Sequence, residues 1–169
     1  GGGTAGWMAA NLILTRWPNV NVRLLESPSI ATVGVGEGST PHLKHFFDEV
    51  GIAEAEWMPR CNATYKNGIY FSRWSSIPGF EEYFHPFPAQ VDDLMTMPLF
   101  FHNLKARLHG VSINAHPDAY FLQSYLTENN LGPIAADNFP FTMGYGYHFD
   151  SGLLGKFLAE RAQARGLTR

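Results

Sequence analysis

The sequence predicts an α/β domain of the dinucleotide-binding kind, and three observations predict it. A glycine-rich turn, Gly1-Gly2-Gly3-Thr4-Ala5-Gly6, opens directly into a stretch with helical apolar spacing. An apolar run at residues 20–26 follows and ends in an acidic residue, as a buried strand of such a fold does. A second glycine-rich segment, residues 34–41, then leads into another helical pattern.

Taken in order, the first helix has Met8, Leu12 and Ile13 as its expected buried stripe and stops at Pro18, whose ring cannot continue it. Residues 20–26 read as a strand with Val20, Val22, Leu24 and Leu25 apolar. Residues 41–50 read as a helix with Pro41 at its first position, Leu43, Phe46 and Phe47 inward, and Gly51 ending it. Residues 64–71 are rich in aromatic and β-branched side chains and predict a strand. Residues 75–98 carry Pro78, Pro86, Pro88 and Pro98 and predict irregular structure. Helices are expected near 99–108 and 117–129. Asp150 suits the N-cap of a last helix with Leu153, Leu154, Phe157, Leu158 and Ala162 on its apolar side. Arg161, Arg165 and Gly166 suit its end. A glycine turn of this kind normally follows a strand, and an alternating chain supplies another strand after that helix. The expectation is therefore that residues 1–169 are a fragment that opens and closes in the middle of folding units.

Composition narrows the class. Of 169 residues, 45% are apolar and 16% charged, which excludes a disordered, charge-driven chain. A formal charge of −3 argues against a nucleic-acid partner, which calls for a basic face. No run of about 18 apolar residues offers a membrane span. Cys61 stands alone, so it forms no internal disulfide and no structural zinc cluster; a small core or surface residue is the simple reading. Without a signal-like start, the expected compartment is the cytoplasm. Aromatic residues make up 14%, enough either to fill a core or to line a pocket for a flat ligand.

Gly1, Gly3 and Gly6 fit G-x-G-x-x-G. The first glycine permits the tight turn, the second lets backbone approach a diphosphate, and the third allows close packing of helix on strand. Thr4 and Ala5 stand at the helix N-terminus, where free N–H groups and the dipole favour phosphate. Glu26 follows Gly6 by the ~20 residues expected of a carboxylate that accepts from a ribose diol. The pattern does not separate NAD from FAD. The second segment, with Gly34, Gly36, Glu37, Gly38, Ser39 and Thr40, is either a close-contact ligand loop or a plain connection into the helix. Lys66 shares a strand face with Thr64, Gly68 and Tyr70, while Tyr65, Asn67, Ile69 and Phe71 take the other. It is either an edge-strand charge that discourages aggregation or a functional amine.

In motif order these residues resemble the flavin-dependent halogenases that act on tryptophan and other indoles. The resemblance rests on residues 1–10 (GGGTAGWMAA), Glu26-Ser27-Pro28, residues 34–41 (GVGEGSTP), FFDEVGI with Glu56-Trp57-Met58, and Thr64-Tyr65-Lys66. It also rests on Tyr83-Phe84-His85-Pro86-Phe87 and Tyr147-His148-Phe149-Asp150. It implies an FAD-binding, Rossmann-like fold of the aromatic hydroxylase and halogenase type, with residues 1–169 the N-terminal part of one such domain and the rest of the substrate domain expected beyond residue 169. FADH2 from a separate flavin reductase would react with O2, and a chloride or bromide ion would be oxidised to hypohalous acid. That acid would reach Lys66, which as an ammonium donates hydrogen bonds and as an amine accepts halogen. Gly36, Glu37, Ser39 and Thr40 match the strap between flavin and substrate sites, and His85 and Phe87 match positions lining the indole pocket. Many tryptophan-specific members have alanine after the glutamate, where this chain has Gly38-Ser39-Thr40, so other indoles are open as substrates. The family's second catalytic residue, a glutamate, and its halide site are expected beyond this chain. Trp74-Ser75-Ser76-Ile77-Pro78 only echoes its G-W-x-W-x-I-P signature, so these residues alone should not halogenate. A homodimer is a possible assembly. Two other functions fit the nucleotide turn: a flavin monooxygenase or NAD/FAD-dependent oxidoreductase, and a nucleotide-binding fragment without turnover.

Overall fold

The computed structural model describes residues 1–27, 29, 36–114 and 116–168. In chain order its elements are α1 (Thr4–Arg16), β1 (Gly36–Gly38), α2 (His42–Val50), α3 (Glu54–Trp57), β2 (Thr64–Lys66), β3 (Gly68–Phe71), β4 (Tyr83–Pro86), α4 (Gln90–Leu108), α5 (Leu122–Glu128), β5 (Gly146–Asp150) and α6 (Ser151–Ala164). Single 3-10 turns lie at Pro59–Cys61 and Pro117–Ala119. The chain forms two compact units, Gly1–Thr64 with Tyr147–Arg169, and Tyr65–Gly146.

In the first unit, α1 packs along α6 and buries Trp7, Ala10, Asn11 and Leu14. The expected stripe of Met8, Leu12 and Ile13 is only half-buried. The face is rotated because a polar residue sits at its centre: Asn11 Nδ2 donates to the carbonyls of Trp7 and Leu158, each at 2.9 Å. A satisfied amide can occupy a core position that a hydropathy pattern reads as polar. Arg165 donates to the Leu14 carbonyl at 2.8 Å and closes the same interface. Helix α2 runs much as expected and ends at Gly51, whose φ of 69° is the left-handed C-cap that favours glycine. Its Phe47 stacks on Trp57, with centroids 4.2 Å apart, and Tyr147 meets Trp57 edge-on at 4.9 Å. All three rings are buried and form the centre of this unit. β1 pairs antiparallel with β5 from Gly36↔Asp150 to Gly38↔His148. The sequence reading assigns no strand to the residues of β5.

The strand expected at residues 20–26 is reduced to one parallel bridge between Arg23 and Thr168. Leu24 N–H donates to the Thr168 carbonyl at 3.0 Å, and Thr168 N–H to that of Val22 at 3.1 Å. Leu24 is buried there, while Val20 and Leu25 are exposed. Two bonds give no ladder, so the alternation of that run is not converted into a strand. Helix α6 follows the sequence reading: Asp150 Oδ1 accepts from Leu153 N–H at 2.8 Å, and Leu154, Phe157, Leu158 and Ala162 are buried.

In the second unit, the strand expected at 64–71 is two strands broken at Asn67. β3 pairs antiparallel with β4 from Gly68↔Pro86 to Phe71↔Tyr83. Residues 75–98, read as irregular, contain β4 and the first half of α4. Pro98 lies inside α4, so the helix expected from residue 99 begins at Gln90. Its start is set by Asp92, which is buried. Asp92 Oδ2 accepts from Ala89 N–H at 2.8 Å and Oδ1 from Leu122 N–H at 3.1 Å, tying α4 to the start of α5. The helix expected at 117–129 is a 3-10 turn followed by α5. Among the described residues, no helix is long and apolar enough to cross a membrane.

Candidate functional site

The nucleotide turn is built at the N-terminus of α1. Gly3 is the N-cap residue, and no side chain caps this end. The first N–H groups of the helix therefore point outward without an intrahelical acceptor. Gly1 and Gly3 have open space where a Cβ would stand. At Gly6 a Cβ would come within 3.1 Å of the Gly1 carbonyl carbon and closer still to its oxygen, so the turn closes only with glycine there. Thr4 is half-buried and its hydroxyl donates inward to the Ser151 carbonyl at 3.0 Å. Ala5 is exposed beside it. Glu26 is half-buried and its carboxylate rests against Gly2. An open glycine cradle, an uncapped helix N-terminus and a carboxylate at the turn fit the diphosphate and ribose of a dinucleotide such as FAD.

Of the second glycine segment, Gly34 and Val35 lie outside the described residues, as does Pro28 of the Glu26-Ser27-Pro28 motif. Gly36 and Glu37 are exposed on β1. Ser39 is clamped to Tyr147: its N–H donates to the Tyr147 carbonyl at 2.8 Å, and its Oγ accepts from Tyr147 N–H at 3.0 Å. Thr40 Oγ1 lies 3.4 Å from His42 Nδ1 and is exposed at the head of α2. Ser39 thus fixes the exit of β1, and Glu37 and Thr40, which flank it in the chain, are exposed.

Lys66 is half-buried at the end of β2, and its Nζ stands over the ring of Phe87, 5.6 Å from the centroid. That is within reach of a cation–π contact. Phe87 is itself buried, and its N–H donates to the Asn67 carbonyl at 2.8 Å. Asn67, the residue after the lysine, also donates from Nδ2 to the Leu131 carbonyl at 3.1 Å. The break in the strand therefore has a use: Asn67 ties the lysine's backbone to the residue that carries its ring. Sequence reasoning missed Asn67, whose only signal is a polar residue interrupting an aromatic run. His85 pairs with Ile69 in the hairpin, is exposed, and sits edge-on to Phe71 and Tyr83 at centroid distances of 6.5 and 6.4 Å. Phe71 and Tyr83 stack at 5.0 Å. Lys66 at the end of β2, His85 on β4 and Phe87 just after β4 thus lie in one unit. Tyr70, in the same hairpin, donates to the Glu82 carboxylate, which holds its phenol above the usual range.

Cys61 is fully buried, and burial pushes its thiol up to about 11, so it is a packed thiol and not a nucleophile. Among the described residues, no group of three or more His, Cys, Asp or Glu is placed to hold a metal ion.

The tryptophan halogenase family profile matches residues 1–169. Tryptophan 7-halogenase KtzQ of Kutzneria sp. (strain 744) is 36% identical, over 96% of this chain and 33% of its own length. Tryptophan 6-halogenase SttH of Streptomyces toxytricini is 33% identical, over 99% of this chain and 35% of its own. Among solved structures, Xcc4156, a flavin-dependent halogenase from Xanthomonas campestris, superposes with a TM-score of 0.77 at 32% identity, covering 99% of this chain and 33% of that one. The chain spans about a third of the length of the relatives it matches.

Proposed function

Because the chain belongs to the tryptophan halogenase family, we propose that it carries the cofactor turn and the halogen-delivering lysine of an enzyme that halogenates an aromatic, indole-like substrate. FAD, supplied reduced by a separate flavin reductase, provides with O2 the oxidising power that converts chloride or bromide to hypohalous acid. Gly1, Gly3, Thr4, Ala5 and Gly6 hold its diphosphate through backbone N–H groups, and Glu26 accepts from its adenosine ribose. Gly36, Glu37, Ser39 and Thr40 form a second wall of the flavin site, with Ser39 fixed to Tyr147.

Lys66 delivers the halogen. Its ammonium donates a hydrogen bond to the oxygen of hypohalous acid. The aromatic carbon's π electrons form the new carbon–halogen bond as the oxygen–halogen bond breaks, the hydroxide takes a proton and leaves as water, and the ring carbon then gives its proton to a base. Free hypohalous acid attacks many rings and sulfurs; a donor held in one place replaces random encounter with one line of approach. Phe87 and His85 receive the flat face of the substrate. The single observation that supports this reading is the Lys66 amine over the Phe87 ring, held there by the Phe87–Asn67 backbone bond. The Gly38-Ser39-Thr40 sequence supports an indole other than free tryptophan as the substrate.

The same proposal makes residues 1–169 the N-terminal part of one larger flavoprotein domain. It sets the protein in the cytoplasm, as a homodimer with the reductase as a transient partner. A single, buried cysteine suits a reducing compartment. The test is Lys66→Ala in the full protein, supplied with a reductase, indole and bromide or chloride and read by mass spectrometry. Halogenated product should fall about a hundredfold or more while FAD affinity holds. Halogenation retained in that variant overturns the proposal.

A further inference from the structure

Helix α4 is apolar on its exposed side. Leu94, Met97, Phe101, Leu104 and Leu108 follow one another at steps of three, four, three and four residues, and each is between 44% and 77% exposed. That alternation is the spacing of a helix-pairing seam, which keeps one line of side chains turned toward a second helix. The opposite side rests on the unit: Asp92 is buried, and Leu99, Asn103 and Ala106 are half-buried. A helix with apolar side chains on both sides is a covered helix. Pro98 removes one intrahelical hydrogen bond from its interior, so the helix depends on packing. The charges beside the seam indicate what covers it. Asp93, Phe100 and Arg107, seven residues apart, run along one edge of the seam. Asp93 and Arg107 are exposed and make no ion pair among the described residues. With acid at its start and base at its end, that edge is complementary to itself when turned end to end.

We propose that a second copy of this chain covers the outer face of α4, the two helices lying antiparallel across a twofold axis. Antiparallel pairing sets Leu94 against the partner's Leu104 and Met97 against the partner's Phe101, so the whole seam is filled from both sides. Along the edge, Asp93 meets the partner's Arg107 at both ends, and Phe100 meets the partner's Phe100 at the axis. Parallel pairing sets Asp93 beside the partner's Asp93 and Arg107 beside the partner's Arg107, so the charges select the antiparallel arrangement. The inference rests on the homodimer of the proposed function and locates its interface; it does not depend on the halogenation chemistry.

The experiment is sedimentation of the full protein across micromolar concentrations, with circular dichroism to report the fold. Leu104→Glu puts a carboxylate into the seam and should abolish the dimer at concentrations where wild type is paired, with the helical signal unchanged. Asp93→Arg and Arg107→Asp each turn both end contacts into repulsions, so either variant alone should dimerise roughly tenfold more weakly. An equimolar mixture of the two restores an acid opposite a base at both ends and should pair as tightly as wild type. That rescue between two chains is a result that cover by another part of the same chain cannot give. A wild-type protein that sediments as a monomer overturns the proposal, and so does a dimer indifferent to Leu104→Glu or a mixture that pairs no better than its components. A full protein that halogenates as a monomer removes the seam and leaves the chemistry standing. Rescue in a protein that does not halogenate supports the seam and counts against the chemistry.

Discussion

Asp92 offers a measurable handle on the architecture next to the lysine site. Its carboxylate is buried and accepts two backbone N–H groups, Ala89 at 2.8 Å and Leu122 at 3.1 Å. Ala89 is completely buried and lies two residues after Phe87. Asp92→Ala removes both acceptors. Orphaning the buried Ala89 N–H costs about 1–3 kcal/mol, and the half-exposed Leu122 N–H, which water can reach, about 1 kcal/mol. The sum is about 2–4 kcal/mol. A chain of this length loses roughly 2–4 °C of melting temperature per kcal/mol, so the variant should melt about 5–15 °C lower. Asp92→Asn keeps one carbonyl oxygen and turns an amide N–H toward the other donor, so its loss should fall between wild type and Asp92→Ala. Thermal unfolding by circular dichroism gives the shift, and amide hydrogen exchange at Ala89 and Leu122 locates it. A melting temperature within a degree of wild type, or unchanged protection at Ala89, would refute the reasoning.

Three further outcomes follow from the geometry. Phe87→Leu keeps an apolar side chain but removes the ring face under the Lys66 amine, so in the full protein the halogenation rate should drop about two- to fivefold, alongside about 1 kcal/mol of stability lost from the buried site; an unchanged rate would detach Phe87 from the lysine's task. Asp150→Ala removes the acceptor for Leu153 N–H and should cost about 1 kcal/mol, read by urea unfolding. Cys61, held up to about 11 by burial, has roughly a hundredfold less thiolate than an ordinary thiol and should resist alkylation until the protein unfolds. Because the fold favours the protonated thiol, stability present below pH 9 should fall by about 1.4 kcal/mol per unit as pH rises from 9 toward 11, visible in melts at pH 8 and 10.5.

Helices α1, α2 and α6 are legible in the sequence because their ends are written locally, in the glycine turn, Gly51 and the Asp150 cap. Which face of α1 is buried is not, since Asn11 earns its place in the core from a carbonyl on α6. Pro98 hides the first half of α4, because a proline in mid-pattern reads as a helix boundary, although the helix whose start Asp92 caps begins at Gln90, eight residues before it. The strand at 64–71 reads as continuous because nothing local announces that Asn67 will bond to Leu131. For the candidate site, the spacing of Glu26 from the glycines is visible in the sequence; that it lies against Gly2 is a tertiary fact. Lys66 stands out by its chemistry, whereas the ring beneath it is 21 positions away and is brought there by the hairpin.

The first unit is discontinuous, made from residues at both ends of the chain, while the second is one uninterrupted stretch. During synthesis the inner stretch can therefore emerge whole and fold while the outer unit still waits for its closing helix. The N-terminal end of α1 is anchored to Ser151, 147 positions downstream, and its other end to Arg165, 151 positions away from Leu14. Such distant closure is slow. The nascent polypeptide should thus acquire its aromatic hairpin before its glycine turn and α1 are anchored, and a ribosome stalled ahead of α6 should display the former without the latter.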